Sequence, residues 1–174
     1  DSVVYSHRMD VVLASPPCQC FSVASIGTHW GGGKRRYLPK TEAARYSMNL
    51  VRHTRDLIRQ IDPRFYVIEN PRGVLRNLAL MHDCPPMTVW YCQYGDERAK
   101  PTDLFGNLPK SFIPKTCHNG AKDHAEARRG AKTGTQGRKG AYQRSKVPYK
   151  LSLELCLAME SDSKSKSDGG NTVG

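Results

Sequence analysis

Two short, largely apolar runs, residues 9–14 and 65–68, are separated by a segment with helical periodicity. Each run suits a strand buried on both faces of a sheet. The intervening segment, residues 41–61, carries its apolar side chains on one helical stripe, with Thr41 as N-cap and Pro63 just beyond its end. This order of strand, helix and strand predicts an α/β fold with an open sheet.

The two predicted strands both end in a polar motif that contains proline. The motif Pro16-Pro17-Cys18 follows the first strand, and Glu69-Asn70-Pro71 follows the second. Ligands of open α/β sheets bind beyond the carboxyl ends of the strands, so these motifs mark the candidate site. The remaining predicted elements are a short helix at 74–80, a third strand at 88–91, a turn at 94–96 and a returning hairpin strand at 102–105.

The balance of charge favours a polyanionic partner. The formal net charge is +11, which indicates nucleic acid first and an anionic membrane surface second, with simple solubility as the alternative. Ten basic residues stand against two acidic ones between 115 and 150. Such a segment orders on a polyanion or remains a disordered linker. The predicted organisation is a catalytic domain at 1–112, a basic recognition segment at 113–146, a closing helix at 147–160 and a disordered tail at 161–174.

The six cysteines do not form a recognisable disulfide or zinc pattern. No apolar run is long enough to span a membrane and no export signal is visible, so we expect an intracellular protein with reduced thiols. Cys18 and Cys20 are too close for the usual zinc spacing. Cys117, His118 and His124 could supply ligands, for instance in a zinc-ribbon-like module, but the sequence predicts no metal site.

Cys18 and Glu69 together suggest a particular chemistry. A thiolate at the end of a strand, behind two stiff prolines, is suited to nucleophilic attack, although a small buried cysteine is the simpler alternative. Glu69 would lie at the adjacent strand end, unless it only caps a helix or neutralises an arginine. The pair fits addition to an electron-poor ring, in which the carboxyl group binds and protonates a ring nitrogen.

Three ordered stretches, SPPCQCFS, FYVIENPRGVLR and YCQYGDERAKPTDLFGN, resemble the DNA cytosine-5 methyltransferases, most closely their phage and viral branch. The resemblance covers roughly residues 9–159. It implies that Cys18 is the nucleophile, that Glu69 contacts the cytosine ring, and that the loop at 22–38 closes over a flipped base. Lys100 stands where the family usually has an arginine, at the cytosine carbonyl.

The resemblance also implies a cofactor, a partner and further site residues. The cofactor is S-adenosyl-L-methionine, with Pro16 and Asn70 as candidate contacts, and the partner is double-stranded DNA. The biological settings it suggests are DNA methylation and restriction-modification. The candidate DNA-binding residues are Gln19, Lys34, Arg35, Arg36, Arg98, Thr102, Arg128, Arg129, Arg138 and Lys139.

One part of the family pattern is missing from these 174 residues. The family's Phe-x-Gly-x-Gly loop, which holds S-adenosylmethionine, would lie before Asp1. We therefore expect a partial Rossmann-like methyltransferase sheet, the second half of a doubly wound sheet, whose first strand is an exposed edge. The alternatives are a truncated enzyme, one subunit of a split enzyme that needs an N-terminal half, or a catalytically inactive DNA-binding remnant. On this reading the isolated chain methylates poorly or not at all.

Overall fold

A mixed sheet of four strands forms the centre of the fold. The computed structural model describes residues 9–33, 36–118, 121–125 and 141–167. The strands are β1 (Val11–Ala14), β2 (Trp30–Gly31), β3 (Leu38–Pro39), β4 (Phe65–Pro71), β5 (Met87–Trp90) and β6 (Pro101–Asn107). The α-helices are α1 (Ile26–His29), α2 (Glu42–Ile61), α3 (Ala141–Ser145) and α4 (Tyr149–Ser167).

The main sheet has the order β1-β4-β6-β5, and β2 pairs with β3 in a small separate ribbon. β1 and β4 are parallel, with Ala14 opposite Ile68 at their carboxyl ends. β6 is antiparallel to both β4 and β5. The predicted hairpin between the third and last strands is therefore confirmed. The last strand, however, lies between β4 and β5, so the third strand occupies the edge rather than the place next to β4.

Helix α2 forms where the periodicity predicts it. The Thr41 hydroxyl accepts a hydrogen bond from the Ala44 amide at 3.2 Å and caps the first turn. At the other end Asp62 adopts a left-handed conformation with φ of 48°, which stops the helix before Pro63. Its buried face, including Val51 and Ile58, packs on one side of the sheet with Ile68 and Phe105.

A second apolar core lies on the opposite side of the sheet, beneath α4. Leu151, Leu155 and Met159 of the helix pack against Phe65 and Val67 of β4, among others. Because successive residues of a strand point to opposite faces, Glu69 faces this side, whereas Ile68 and Asn70 face α2. The two site residues of β4 therefore act on different sides of the sheet.

Three local predictions differ from the structure. The segment predicted as a helix at 74–80 forms two 3₁₀ turns, Leu75–Asn77 and Ala79–Met81. Its buried residues Leu75, Leu78 and Met81 are spaced by three, which matches the 3₁₀ period rather than the α period.

Helix α4 continues to Ser167, so residues 161–167 are helical where a disordered tail was expected. The segment 22–38, predicted as a loop that closes over a flipped base, contains a 3₁₀ turn, α1, β2 and the first residue of β3. Its Trp30 is buried, stacks on Phe21 and donates its indole N–H to the Cys20 carbonyl at 2.5 Å. Among the described residues, no helix combines the length and apolar character needed to cross a bilayer.

Candidate active site

Backbone and side-chain hydrogen bonds join the two predicted motifs at the carboxyl ends of β1 and β4. The Asn70 side-chain Nδ2 donates to the Pro16 carbonyl at 3.1 Å, and both residues are buried. The Val74 amide donates to the Phe21 carbonyl at 2.8 Å, so the two segments meet a second time a few residues further on. The structure therefore brings the Pro-Pro-Cys and Glu-Asn-Pro motifs together, as the sequence predicts.

Cys18 begins a tight turn. Its carbonyl accepts hydrogen bonds from the amides of Phe21 at 3.0 Å and Ser22 at 3.1 Å, and the residue is half-buried. Cys20 is buried and packs in the apolar core beside α2. The thiol of Cys18 therefore lies nearer the surface than that of Cys20, as a nucleophile requires.

Gly73 allows the two motif segments to approach each other. A Cβ on this residue would lie 2.1 Å from the Phe21 carbonyl oxygen, far inside any real contact. Only glycine leaves room for the neighbouring Val74 amide to reach that carbonyl. The glycine of the ENPRG stretch is thus required by a close approach of two backbones.

The carboxylate of Glu69 is oriented by a tyrosine that the sequence does not point to. The Tyr91 hydroxyl donates to Glu69 Oε1 at 2.8 Å. Burial and the adjacent Glu69 carboxylate raise the pKa of Tyr91 well above its usual value, so the phenol remains a donor. Tyr91 opens the stretch YCQYGDERAKPTDLFGN, but no pattern in that stretch assigns it a role beside Glu69.

Lys100 lies next to Tyr91, on the aromatic ring of that residue. It is only 9% exposed, and its ammonium lies 4.3 Å from the centre of the Tyr91 ring. Its backbone has a positive φ of 27°, an uncommon conformation for a residue with a side chain. The structure thus brings Lys100, Tyr91 and Glu69 into one cluster.

Glu69 also lines a cavity of about 130 Å³ between the end of β1 and α4. Ser15 and Leu13 form its wall on β1, while Ser152 and Leu155 form its wall on α4. On the other face of β4, the Asn70 Oδ1 atom is buried, and no described residue donates a hydrogen bond to it. The Glu69 side chain therefore borders open space, whereas Asn70 Oδ1 is an unsatisfied acceptor enclosed by the protein.

The predicted DNA-binding residues fall into three groups. Gln19 and Arg36 are exposed and Arg98 is half-buried. Thr102 is 0% exposed, and its hydroxyl donates to the Lys100 carbonyl at 3.1 Å, so its position is structural and the predicted DNA contact is not available to it. The predicted residues that lie outside the described part of the chain are Lys34, Arg35, Arg128, Arg129, Arg138 and Lys139.

An ion pair with a buried carboxylate supports β6, the strand that follows Lys100. Arg76 contacts the Asp103 carboxylate through Nε at 2.9 Å and Nη2 at 2.6 Å, and Asp103 is 1% exposed. Thr88 of β5 hydrogen-bonds to both partners. Arg76 and Asp103 are 27 positions apart, and no pattern in the sequence predicted that they would pair.

The potential zinc ligands noted in the sequence are only partly brought together. Cys117 and His124 lie side by side, joined by Cys92 and Asp123, whereas His118 does not belong to the group. Burial and the neighbouring Cys117 thiol raise the pKa of Cys92 to about 11. This cluster lies beyond the end of β5, outside the Cys18 and Glu69 site.

Comparison with known proteins supplies the family. No protein-family model matches the chain. The chain is 30% identical over 164 residues to a probable DNA (cytosine-5)-methyltransferase of Frog virus 3 (isolate Goorha). The alignment covers 85% of this chain and 74% of the viral protein, and it confirms the resemblance found in the motifs. The chain therefore belongs to the DNA (cytosine-5)-methyltransferase family, a family of methyltransferase enzymes.

Proposed function

We propose that this chain carries the catalytic groups of a DNA cytosine-5 methyltransferase, with Cys18 as nucleophile and Glu69 as the group that engages the target ring. The main support is the Asn70 to Pro16 hydrogen bond, which ties the Cys18 motif to the Glu69 motif. In the proposed function that bond keeps a thiol and a carboxyl group within reach of one base.

The chemistry follows from the reactivity of cytosine. Carbon 5 is a poor nucleophile until a thiolate adds to carbon 6, and addition moves electron density towards carbon 5 and the ring nitrogen at position 3. Glu69 would bind and protonate that nitrogen, while Tyr91 holds the carboxyl group in place. Lys100 would contact the cytosine carbonyl. After transfer, loss of the carbon-5 proton re-forms the double bond and expels the Cys18 thiolate.

The methyl group would come from S-adenosylmethionine. The cavity beside Glu69 holds about 130 Å³, whereas sites for ligands of such size usually enclose about 300 Å³ or more. The residues that line this cavity therefore suit one end of the donor. Pro16 and Asn70, the two candidate contacts from the sequence, lie outside this lining, on the other face of β4, and would contact the donor from there. The unpaired Asn70 Oδ1 is an acceptor suited to an amino or amide group from the ligand or from another segment.

The exposed surface of β1 and α4 suggests where further cofactor-binding structure would dock. Within the described residues β1 is an edge of the sheet, and its Leu13 is 60% exposed. Leu153 and Leu157 are exposed on α4. We infer that the four strands are the second half of a doubly wound methyltransferase sheet and that a cofactor-binding half adds along β1, from the same or another chain.

Double-stranded DNA is the proposed substrate. A base inside a duplex has to be flipped out before a thiolate reaches carbon 6. Gln19 is exposed in the Cys18 turn, and Arg36 is exposed in the loop at 22–38. Arg72, which the sequence analysis did not predict as a DNA contact, is also exposed, with its guanidinium 5.2 Å from the centre of the Trp90 ring. The net charge of +11 favours binding to the DNA backbone, and such binding should weaken as salt rises.

Trapping with DNA that contains 5-azacytosine tests the proposal without the methyl donor. Nitrogen in place of carbon 5 makes carbon 6 electrophilic enough to take a thiolate directly. The wild-type chain should form an adduct that survives denaturing electrophoresis. Cys18→Ala should abolish the adduct, and Glu69→Gln should slow its formation by about 10²-fold or more.

Cys20→Ala is the matched control, because it removes a thiol two residues away that packs in the core. Its adduct should form at close to the wild-type rate. Salt-sensitive DNA binding with no adduct in any variant would instead support a catalytically inactive DNA-binding protein. An adduct that persists in Cys18→Ala would contradict the assignment of the nucleophile.

A further inference from the structure

Four side chains that bind metals in other proteins converge beyond the end of β5. Cys92 lies in the 3₁₀ turn Tyr91–Tyr94 that follows β5, and Cys117 lies in the extended segment after β6. Asp123 and His124 belong to a turn a few residues further along. One ligand atom from each of the four residues lies within 4.8 Å of the others.

The distances match the edges of a tetrahedron around a zinc ion. Bonds of about 2.3 Å to sulfur and about 2.1 Å to nitrogen or oxygen place neighbouring ligand atoms about 3.4–3.8 Å apart. Cys117 Sγ lies 3.5 Å from His124 Nδ1 and 3.4 Å from Asp123 Oδ1. His124 Nδ1 lies 3.3 Å from the same Asp123 oxygen. Three ligands therefore already have the required spacing.

Backbone contacts hold the segments together independently of these side chains. The Trp90 amide donates to the Lys115 carbonyl at 3.1 Å, and the Ala125 amide donates to the Glu97 carbonyl at 2.9 Å. Along the chain, one of these two bonds lies two residues before Cys117 and the other lies one residue after His124. This arrangement makes the convergence of the four side chains a property of the fold.

The surroundings suit a structural rather than a catalytic ion. Cys92 is buried, and the side chain of His124 is only 3% exposed. The Gln93 side-chain amide donates to the other oxygen of Asp123, an outer contact of the kind that orients a ligating carboxylate. Two thiols, an imidazole and a carboxylate are a donor set that zinc prefers over magnesium or calcium.

We propose that Cys92, Cys117, Asp123 and His124 bind one structural zinc ion. The ion would fasten Cys117, Asp123 and His124 to the turn that follows β5 and so hold the start of the basic segment against the β5–β6 strand pair. Binding replaces the thiol protons with the metal, and both protons leave to solvent. The inference rests on these four residues alone and is independent of methyl transfer.

Metal analysis of the purified full chain, prepared without chelators, tests the site directly. We expect about one zinc per chain. Cobalt added to the metal-free protein should give a near-ultraviolet thiolate-to-cobalt band together with the visible absorption of a tetrahedral site. Cys117→Ser and His124→Ala should each weaken zinc affinity at least about tenfold, measured by competition with a chromogenic chelator.

His118→Ala is the control, since this exposed histidine adjoins Cys117 but lies outside the cluster. It should keep the wild-type zinc content and affinity. Circular dichroism of each variant separates metal loss from unfolding. Cys117 packs on the small apolar cluster of Trp90, Cys92 and Ala99 and belongs to neither of the two larger cores, so its replacement should leave those cores folded.

Two results would overturn the proposal. The first is that folded wild-type protein binds neither zinc nor cobalt after reduction, or that His124→Ala binds these metals as tightly as the wild type does. The second is a disulfide between Cys92 and Cys117 in freshly purified protein, detected as two fewer free thiols before reduction than after it. Either result would assign these residues to packing or redox chemistry instead.

Discussion

Replacement of Gly73 by alanine tests whether the contact between the two motif segments positions the nucleophile. The added Cβ would lie 2.1 Å from the Phe21 carbonyl oxygen, and real contacts of this kind do not fall below 3.0 Å. The two backbones must therefore separate by about 0.9 Å. That movement would stretch the 2.8 Å bond from Val74 to Phe21 beyond the hydrogen-bonding range.

The magnitude follows from the displacement. Overpacking of this kind costs about 1–3 kcal/mol in the free energy of unfolding. A misplacement of about 1 Å at reacting groups lowers a rate by about 10²-fold, which corresponds to about 2.7 kcal/mol in the barrier. Gly73→Ala should therefore remain folded but form the 5-azacytosine adduct about 10²-fold more slowly than the wild type.

The assay combines single-turnover trapping with urea unfolding. Gly27→Ala is the control for folding, because a Cβ there meets nothing within 4 Å and the residue lies in α1. Its free energy of unfolding should not fall. If Gly73→Ala formed the adduct within about threefold of the wild-type rate with unchanged stability, the packing argument would be refuted.

Four further substitutions probe the polar groups in and around the site. Asn70→Leu removes the hydrogen bond to Pro16 together with the unpaired acceptor Oδ1, so the free energy of unfolding should change by about 1 kcal/mol or less. Formation of the 5-azacytosine adduct should slow at least about tenfold. A large loss of stability in urea unfolding would contradict this. Arg76→Met leaves the buried Asp103 carboxylate without its cation and should lower the free energy of unfolding by about 3–5 kcal/mol. Asp103→Asn should cost less, because it removes the buried charge itself. If thermal unfolding gave the reverse order, the ion pair would not contribute in this way. Tyr91 keeps its proton in the folded state above its ordinary pKa of 10.0, whereas the unfolded chain loses it, so wild-type stability should fall more steeply above about pH 10 than that of Tyr91→Phe. Identical slopes of stability against pH would show that Tyr91 is not held as a neutral donor.

The local pattern of the sequence was sufficient for the elements that carry the two motifs. The apolar runs, the capping threonine and the proline after α2 each act within a few residues, so β1, α2 and β4 lie where the sequence predicts them. The placement of both motifs at neighbouring strand ends follows from the parallel pairing of β1 and β4. Family membership was visible in the same motifs, because the residue types needed for one chemistry recur in a fixed order.

Contacts between distant parts of the chain decided the strand order and the surroundings of the site residues. The insertion of β6 between β4 and β5 depends on pairing across more than thirty residues, which no local period encodes. The same pairing buries Thr102 and places Tyr91 on Glu69. The exposure of a side chain and its hydrogen-bond partner depend on how the chain packs. The residue type alone indicates only what chemistry the side chain can perform.

The cluster beyond β5 shows this division most clearly. Cys92 and Cys117 are separated by twenty-five positions, a spacing that matches no short metal-binding motif. Their sulfur atoms meet because the chain returns past the end of β5 and is held there by main-chain hydrogen bonds. The sequence supplied thiols, an imidazole and a carboxylate, and the tertiary structure decided which of them face one another, because only folding sets distances between residues far apart in the chain.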